Sequence, residues 1–203
     1  MAATFLALGD SYTIGEGVAL DERWPVQLAA RLCEGGIDIA DPQIIATTGW
    51  TTDELAAAMD TASFARPYDL VTLLVGVNNQ YRGRPLDEYS VQFRDLLQRA
   101  IHLAGGIAAH VIVVSIPDWG VTPFAAREGR DAARVAREID AFNAAACAEA
   151  GSAGAHWVDV TTLSRAPGLR DELVTDGLHP SGAQYARWTA AILPAARKVL
   201  QDD

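Results

Sequence analysis

The sequence predicts an α/β fold in which helices cover both faces of a five-stranded parallel sheet, forming a three-layer α/β/α sandwich. Five short apolar runs alternate with longer segments of helical periodicity, and three of these runs lead into glycine and small polar residues. Such alternation is typical of parallel sheets. No linker, internal repeat or low-complexity tract interrupts the 203 residues, so we expect a single domain over residues 1–203.

The predicted strands are short and bounded by turn residues. They begin near residue 5 and then cover 43–47, 69–75, 110–116 and 155–160. The third is almost wholly apolar, which indicates a central strand that is buried on both faces. The first leads directly into Gly9-Asp10-Ser11. Ligands bind at the carboxyl edge of open parallel sheets, so Ser11 is predicted to lie where a site would form.

The segments between the strands carry helix signals. We predict helices near 24–34, 51–59, 86–103, 131–150 and 181–200. Thr51 and Glu54 have the spacing of a capping box, as do Ser181 and Gln184. The last helix is expected to bend or break at Pro194.

The composition excludes several functional classes. The net charge of -10 and the pI of about 4.7 leave no basic surface for nucleic acid. No apolar run is long enough to cross a bilayer, so stable membrane insertion is not expected. The amino terminus has no signal-peptide pattern, which predicts a cytoplasmic protein. Cys33 and Cys147 have neither metal nor disulfide spacing, and we interpret them as buried thiols in a reducing compartment.

Small or amide residues follow the first three strands. Ser11, Gly49 and Asn78 stand at these positions, and the carboxyl ends of parallel strands meet at one edge. Backbone N–H groups from tight turns, together with an asparagine amide, can form an oxyanion hole. We therefore predict Ser11 as a nucleophile among these donors.

A base for the serine is available near the carboxyl terminus. Asp176 and His179 lie on one turn just before the last predicted helix. A nucleophilic serine needs an imidazole to take its proton, and the imidazole needs a carboxylate to fix its tautomer. Each residue alone is weak support, since serines and Asp–His pairs are common in loops. The combination favours a hydrolase.

These residues together resemble the four sequence blocks of the SGNH (GDSL-type) serine esterase and lipase family, in the family's order. The blocks are Gly9-Asp10-Ser11, Gly49, Gly76-Val77-Asn78-Asn79 and Asp176-Gly177-Leu178-His179. The resemblance implies a flavodoxin-like fold and hydrolysis of esters or thioesters without a metal or cofactor. It implies that Ser11 is the nucleophile, His179 its base and Asp176 the residue that orients His179. The Ser11 N–H, the Gly49 N–H and the Asn78 side chain would form the oxyanion hole.

The sequence departs from the family pattern at two positions. Tyr12 replaces the leucine of the name-giving motif, and Asn79 replaces an aspartate that often follows the block asparagine. That aspartate is expected to position the loop, so the placement of Asn78 depends on what Asn79 does instead. No G-x-S-x-G elbow is present, which argues against an ordinary α/β-hydrolase.

Several further residues are candidates for substrate binding. They are Trp50, Asn79, Tyr81, Trp119 and Phe124. Packing beneath loops explains the aromatic members equally well. Arginines and acidic residues also alternate over residues 127–138, which we interpret as a solvated helix face with helical charge pairs.

The predicted function is hydrolysis of carboxylic esters, with short acyl or acetyl groups favoured, through an acyl-serine intermediate. The predicted partner is a small-molecule ester. A lysophospholipase, a thioesterase and a carbohydrate deacetylase remain alternatives within the family. A non-catalytic small-ligand binding module is the alternative from a different class, because fold alone would permit it.

Overall fold

Five strands form one parallel sheet in the computed structural model, which describes residues 1–65, 67–168 and 172–201. The strands are β1 (Phe5–Gly9), β2 (Gln43–Ala46), β3 (Leu70–Leu74), β4 (Val111–Val114) and β5 (His156–Val158). Their order across the sheet is β2-β1-β3-β4-β5, and each neighbouring pair is parallel. The predicted five-stranded parallel sheet is confirmed.

The five predicted helices are present in the described residues, together with four short helices that the periodicity of the sequence does not predict. They are α1 (Ser11–Ile14), α2 (Trp24–Glu34), α3 (Thr52–Thr61), α4 (Val77–Tyr81), α5 (Leu86–Leu103), α6 (Pro123–Arg127), α7 (Ala132–Ala153), α8 (Thr161–Arg165) and α9 (Gly182–Gln201). The capping box at the start of α3 is present, since Glu54 Oε2 accepts the Thr51 N–H at 2.8 Å. Within the described ranges, none of the helices has the length and apolar character of a membrane span.

Helices cover both faces of the sheet. On one face α9 packs against α2 and contacts β3, β4 and β5. On the other, α5 lies between α3 and α7 and contacts β3, while α7 contacts β4 and β5. Every residue of β1, β3 and β4 is buried, which agrees with strands that are covered on both sides.

The register of the sheet brings three strand ends to one level. Gly9 at the end of β1 pairs with Ala46 of β2 and with Leu74 of β3. The segments that follow these three strands therefore leave the sheet side by side. A Cβ atom on Gly9 would lie 2.1 Å from Thr13 Oγ1 and 2.5 Å from the Leu74 carbonyl oxygen, so only glycine permits this tight turn from β1 into α1.

Three local expectations differ from the structure. The fifth strand covers only His156–Val158, because it lies at the edge of the sheet and pairs on one side. Helix α9 continues through Pro194 without a break, because its packing against α2 outweighs the local cost of the proline. Cys33 is exposed and Cys147 is only partly buried, so the interpretation of both as buried thiols is wrong.

Candidate active site

A cavity of about 190 Å³ opens at the carboxyl edge of the sheet. Its lining includes residues from all of the segments that the sequence singled out. The lining residues are Ser11, Tyr12, Thr48, Gly49, Val77, Asn78, Tyr81, Trp119, Phe124, Leu178 and His179. The fold thus brings together four predicted site residues, Ser11, Gly49, Asn78 and His179.

Ser11 is the first residue of α1 and is 4 % exposed. The preceding residue, Asp10, caps this short helix by accepting the Tyr12 N–H at 3.1 Å. The first N–H groups of a helix have no acceptor within the helix. The Ser11 N–H is one of these groups, so it can serve as a donor to a ligand.

The turn that carries Gly49 is fixed by contacts with α4. Gly49 has φ +89°, a conformation that favours glycine. Asn78 Nδ2 donates to the Trp50 carbonyl oxygen at 2.9 Å, and Arg82 Nη2 donates to the Gly49 carbonyl oxygen at 2.6 Å. The Asn78 amide has two N–H donors, and one remains for a ligand after the bond to Trp50. These contacts hold both candidate oxyanion donors in one place.

Asn79 connects the helix that carries Asn78 to the start of α3. Its side chain is fully buried, and its Oδ1 accepts the Thr52 N–H at 3.1 Å while its Nδ2 donates to Thr52 Oγ1 at 2.7 Å. The amide therefore ties α4 to the first turn of α3. Asn79 positions the segment that carries Asn78, which is the role expected of the aspartate that it replaces, and it does not line the cavity.

Asp176 and His179 form a close pair on the turn before α9. Asp176 Oδ2 lies 2.6 Å from His179 Nδ1, and Asp176 Oδ1 accepts the N–H groups of Leu178 and His179 at 2.7 and 3.0 Å. Partial burial raises the pKa of Asp176, but the hydrogen bonds from His179 and from these two N–H groups outweigh it, so the net pKa is lowered. The carboxylate stays ionised and fixes the Nδ1–H tautomer, which leaves Nε2 free to accept a proton.

The same turn is attached to α6 by two hydrogen bonds. Phe124 N–H donates to the Gly177 carbonyl oxygen at 3.0 Å. Arg127 Nη2 donates to the Asp176 carbonyl oxygen at 2.5 Å. Arg127 is exposed at the end of α6, in agreement with a solvated helix face, and its guanidinium also holds this turn. These bonds fix the backbone at Asp176 and Gly177 relative to α6, and so help to fix the position of His179 at the cavity.

Three of the five substrate-binding candidates reach the cavity. Tyr81, Trp119 and Phe124 line it, and their rings contact one another in series at centroid distances of 5.3 and 6.3 Å. Trp119 Nε1 donates to Gln80 Oε1 at 2.7 Å, which fixes the indole. The side chains of Trp50 and Asn79 are not part of the lining.

Four lining residues were not predicted, although each is the neighbour of one that was. They are Tyr12, Thr48, Val77 and Leu178. In each of these four pairs both neighbours line the cavity, so adjacency to a motif residue is the signal that the sequence offers. The Tyr12 ring also lies 5.6 Å from the His179 ring and 6.0 Å from the Trp188 ring, measured between centroids. It therefore supports His179 from inside the core.

Asp10, which precedes the candidate nucleophile Ser11, is a fully buried carboxyl group with one oxygen, Oδ2, that lacks a hydrogen-bond partner in the described residues. Burial raises the pKa of Asp10 to about 7, against the opposing effect of backbone hydrogen bonds such as that from Tyr12. Because a charged carboxylate is costly to bury, the native protein holds this proton more tightly than the unfolded chain does.

We expect Asp10→Asn to reduce the loss of stability at rising pH. The native pKa lies above the ordinary value of 3.8, so the Asp10 contribution to stability is greatest at low pH and declines as the pH rises toward 7. Between pH 5 and pH 8 the free energy of unfolding of the wild type falls by roughly 2–3 kcal/mol because of this group, and the amide of the variant does not cause this loss. Urea unfolding of both proteins at the two pH values measures the difference. A difference between variant and wild type that is equal at pH 5 and pH 8 would contradict the assignment.

Comparison with known proteins identifies the family to which this chain belongs. The sequence model of the GDSL-like Lipase/Acylhydrolase family matches residues 7–187. No curated protein matches the chain by sequence.

Solved structures share the fold at low sequence identity. TesA is 22% identical with a TM-score of 0.74, over 97% of this chain and 99% of that one. A lipase/acylhydrolase from Enterococcus faecalis is 20% identical with a TM-score of 0.74, over 99% and 98% of the two chains. A variant of an acetyl xylan esterase from Geobacillus stearothermophilus is 20% identical with a TM-score of 0.70, over 96% of each. With the family match over residues 7–187, the chain belongs to the GDSL-like lipase/acylhydrolase family and is a hydrolase.

Proposed function

We propose that this hydrolase cleaves carboxylic esters of short acyl groups through an acyl-serine intermediate on Ser11. The observation that carries the proposal is the shared cavity: Ser11 and His179 line it together with Gly49 and Asn78. Asp176, bonded to His179 Nδ1 at 2.6 Å, completes a nucleophile, a base and a group that orients the base.

The first half-reaction forms the acyl-enzyme. Ser11 Oγ attacks the ester carbonyl carbon while His179 Nε2 takes the hydroxyl proton. The negative charge that develops on the carbonyl oxygen is stabilised by the Ser11 N–H, the Gly49 N–H and the Asn78 amide. The tetrahedral intermediate then expels the alkoxide, which receives the proton from His179 and leaves as the alcohol.

The second half-reaction restores the serine. Water attacks the acyl carbon while His179 takes its proton, and Ser11 Oγ leaves with that proton as the free acid is released. Asp176 remains ionised throughout, because its hydrogen bonds lower its pKa despite partial burial. It stabilises the imidazolium that forms in each half-reaction.

The size of the cavity favours a short acyl group. Its volume of about 190 Å³ is close to that of cavities of about 150 Å³ that hold one benzene ring. The aromatic series Tyr81, Trp119 and Phe124 bounds it. Trp119 is 3 % exposed and fixed by its bond to Gln80, so a long chain would have to displace a packed indole.

Hydrolysis of 4-nitrophenyl esters from acetate to decanoate tests the proposal. We expect kcat/KM to be highest for acyl chains of two to four carbons and to fall by about tenfold or more by the octanoate, because the buried indole blocks longer chains. The Ser11→Ala protein supplies the background at each length. An optimum at eight or more carbons would contradict the short-acyl assignment, and no Ser11-dependent hydrolysis of any member would favour the binding-module alternative.

A further inference from the structure

A second cavity lies directly behind the aromatic wall of the first. It has a volume of about 540 Å³, and Tyr81 and Trp119 line both cavities. The lining of the second is mostly polar and includes Gln80, Arg130 and Glu138. Tyr81 is 38% exposed, so a substrate that extends from Ser11 over the Tyr81 ring, without displacing Trp119, would enter this second cavity.

Arg130 stands at the boundary between the two cavities. Its guanidinium carbon lies 4.9 Å from the centre of the Tyr81 ring and 5.7 Å from that of the Trp119 ring. Its backbone N–H donates to the Ala125 carbonyl oxygen at 3.0 Å. The side chain therefore starts from a fixed backbone and lies over both rings that divide the cavities.

The other arginines of the second cavity already have carboxylate partners. Arg134 Nε lies 2.8 Å from Glu138 Oε1, and Arg84 Nη1 lies 2.5 Å from Asp53 Oδ1. In the part of the chain that the structure describes, Arg130 makes no ion pair. A chain with a net charge of -10 thus leaves one guanidinium without a carboxylate at the entrance to a large polar cavity.

A guanidinium in this position is suited to bind an anion. Stacking on an aromatic face leaves its N–H groups free at the edge of the plane, where they match the two oxygens of a carboxylate or phosphate. Gln80 is fixed, because its Nε2 donates to Glu138 Oε2 at 2.7 Å and its Oε1 accepts from Trp119. The wall on which Arg130 lies is therefore rigid, which reduces the entropy lost on binding.

We propose that the alcohol portion of the substrate carries a carboxylate or phosphate group that binds Arg130 in the second cavity. This inference rests on the proposed function, in which the short acyl group occupies the smaller cavity beside Ser11. The alcohol portion is then the part that leaves this cavity over the exposed Tyr81 ring, while Trp119 stays in place. The preferred substrates are acylated hydroxy acids or acylated hydroxyalkyl phosphates.

Matched acetate esters test the proposal. One series consists of ω-acetoxyalkanoates with four to ten carbons, a second of ω-acetoxyalkyl phosphates, and the neutral reference of ω-acetoxyalkanamides. Acetate release gives kcat/KM for each. In the wild type we expect the anionic ester to exceed the amide by roughly tenfold or more at one chain length. The series with the larger ratio identifies the anion as a carboxylate or a phosphate.

Two variants distinguish a specific contact with Arg130 from a general effect of positive charge. Arg130→Gln is expected to reduce the ratio of anionic to neutral substrate to near one. Arg137→Gln removes the same charge from an exposed position on α7 outside the cavity lining and is expected to keep the ratio. Thermal unfolding of both variants checks that the fold is retained. A ratio near one in the wild type for both series, or a ratio that Arg130→Gln leaves unchanged, overturns the proposal.

Failure of the anion-site proposal can be distinguished from failure of the proposed function. If 4-nitrophenyl acetate is hydrolysed in a Ser11-dependent manner and no Arg130-dependent preference exists, only the anion site is wrong. If no Ser11-dependent hydrolysis occurs with any ester, the proposed function itself fails.

Discussion

Replacement of Ser11 by alanine is expected to lower kcat for 4-nitrophenyl acetate by about 10³-fold or more, with little change in stability. The substitution removes the attacking oxygen and leaves the Gly49 and Asn78 donors in place, so the remaining reaction is attack by water assisted by the oxyanion hole. Ser11 is 4 % exposed and its hydroxyl is not needed for the cap of α1, which Asp10 supplies. Steady-state kinetics and urea unfolding of the same preparations measure both quantities.

Ser90→Ala is the matched control, because Ser90 is a half-buried residue of α5 outside the cavity lining, and its hydroxyl donates to the Leu86 carbonyl oxygen. It is expected to retain wild-type kinetics. A fluorophosphonate provides an independent measurement: Ser11 Oγ would displace fluoride, and the protein mass would increase by the phosphonyl group. Labelling of Ser11→Ala at the wild-type rate would show that another residue is the nucleophile.

Replacement of Asp176 by asparagine is expected to lower kcat by about 10²- to 10⁴-fold, and by more than replacement with alanine. The asparagine amide would donate to His179 Nδ1 and so favour the tautomer with the proton on Nε2, which cannot accept the Ser11 proton. Alanine leaves a gap that water can fill, since the Asp176 side chain is 41% exposed. The order of the two variants therefore distinguishes control of the tautomer from simple loss of charge.

Glu172→Gln controls for the loss of a nearby negative charge. Glu172 pairs with Arg187 at 2.8 Å on the segment that leads into the Asp176 turn, and it does not contact His179 in the described hydrogen bonds. Its substitution is expected to change kcat by less than twofold. Equal activity in Asp176→Asn and wild type would show that the carboxylate at 2.6 Å from Nδ1 has no role in the reaction.

The parts of the fold that follow from local patterns could be predicted. The capping pair Thr51 and Glu54 predicts the start of α3 to within one residue of its observed start. The meeting of Ser11, Gly49 and Asn78 followed from the rule that parallel strands end at one edge. The position of His179 followed from the family resemblance, because nothing local in the sequence brings residue 179 to residue 11.

Other features depend on tertiary contacts, or on applying the helical periodicity to each residue of a helix and not only to its apolar stripe. Trp24, Leu28 and Leu32 define the buried stripe of α2, and the same period places Cys33 one step around the helix, where it is exposed. The charge pattern of the sequence predicts Arg130 on a helix face. Helix α7 begins only at Ala132, so that pattern does not apply to Arg130, and its contact with Tyr81 and Trp119 arises from the folded chain.

The register of the three strand ends has a consequence for how the enzyme acquires activity. Ser11, Gly49, Asn78 and His179 come from four separate regions, and the last is 168 positions from the first. Their meeting at one cavity depends on contacts of large sequence separation, and such contacts require the entropy cost of loop closure before they contribute any stability. A partly folded chain that has paired only two strands contains the same residues but no site. Hydrolysis therefore becomes possible only when the last of these long-range contacts has formed. In a refolding experiment, the recovery of hydrolysis measures the completion of this arrangement.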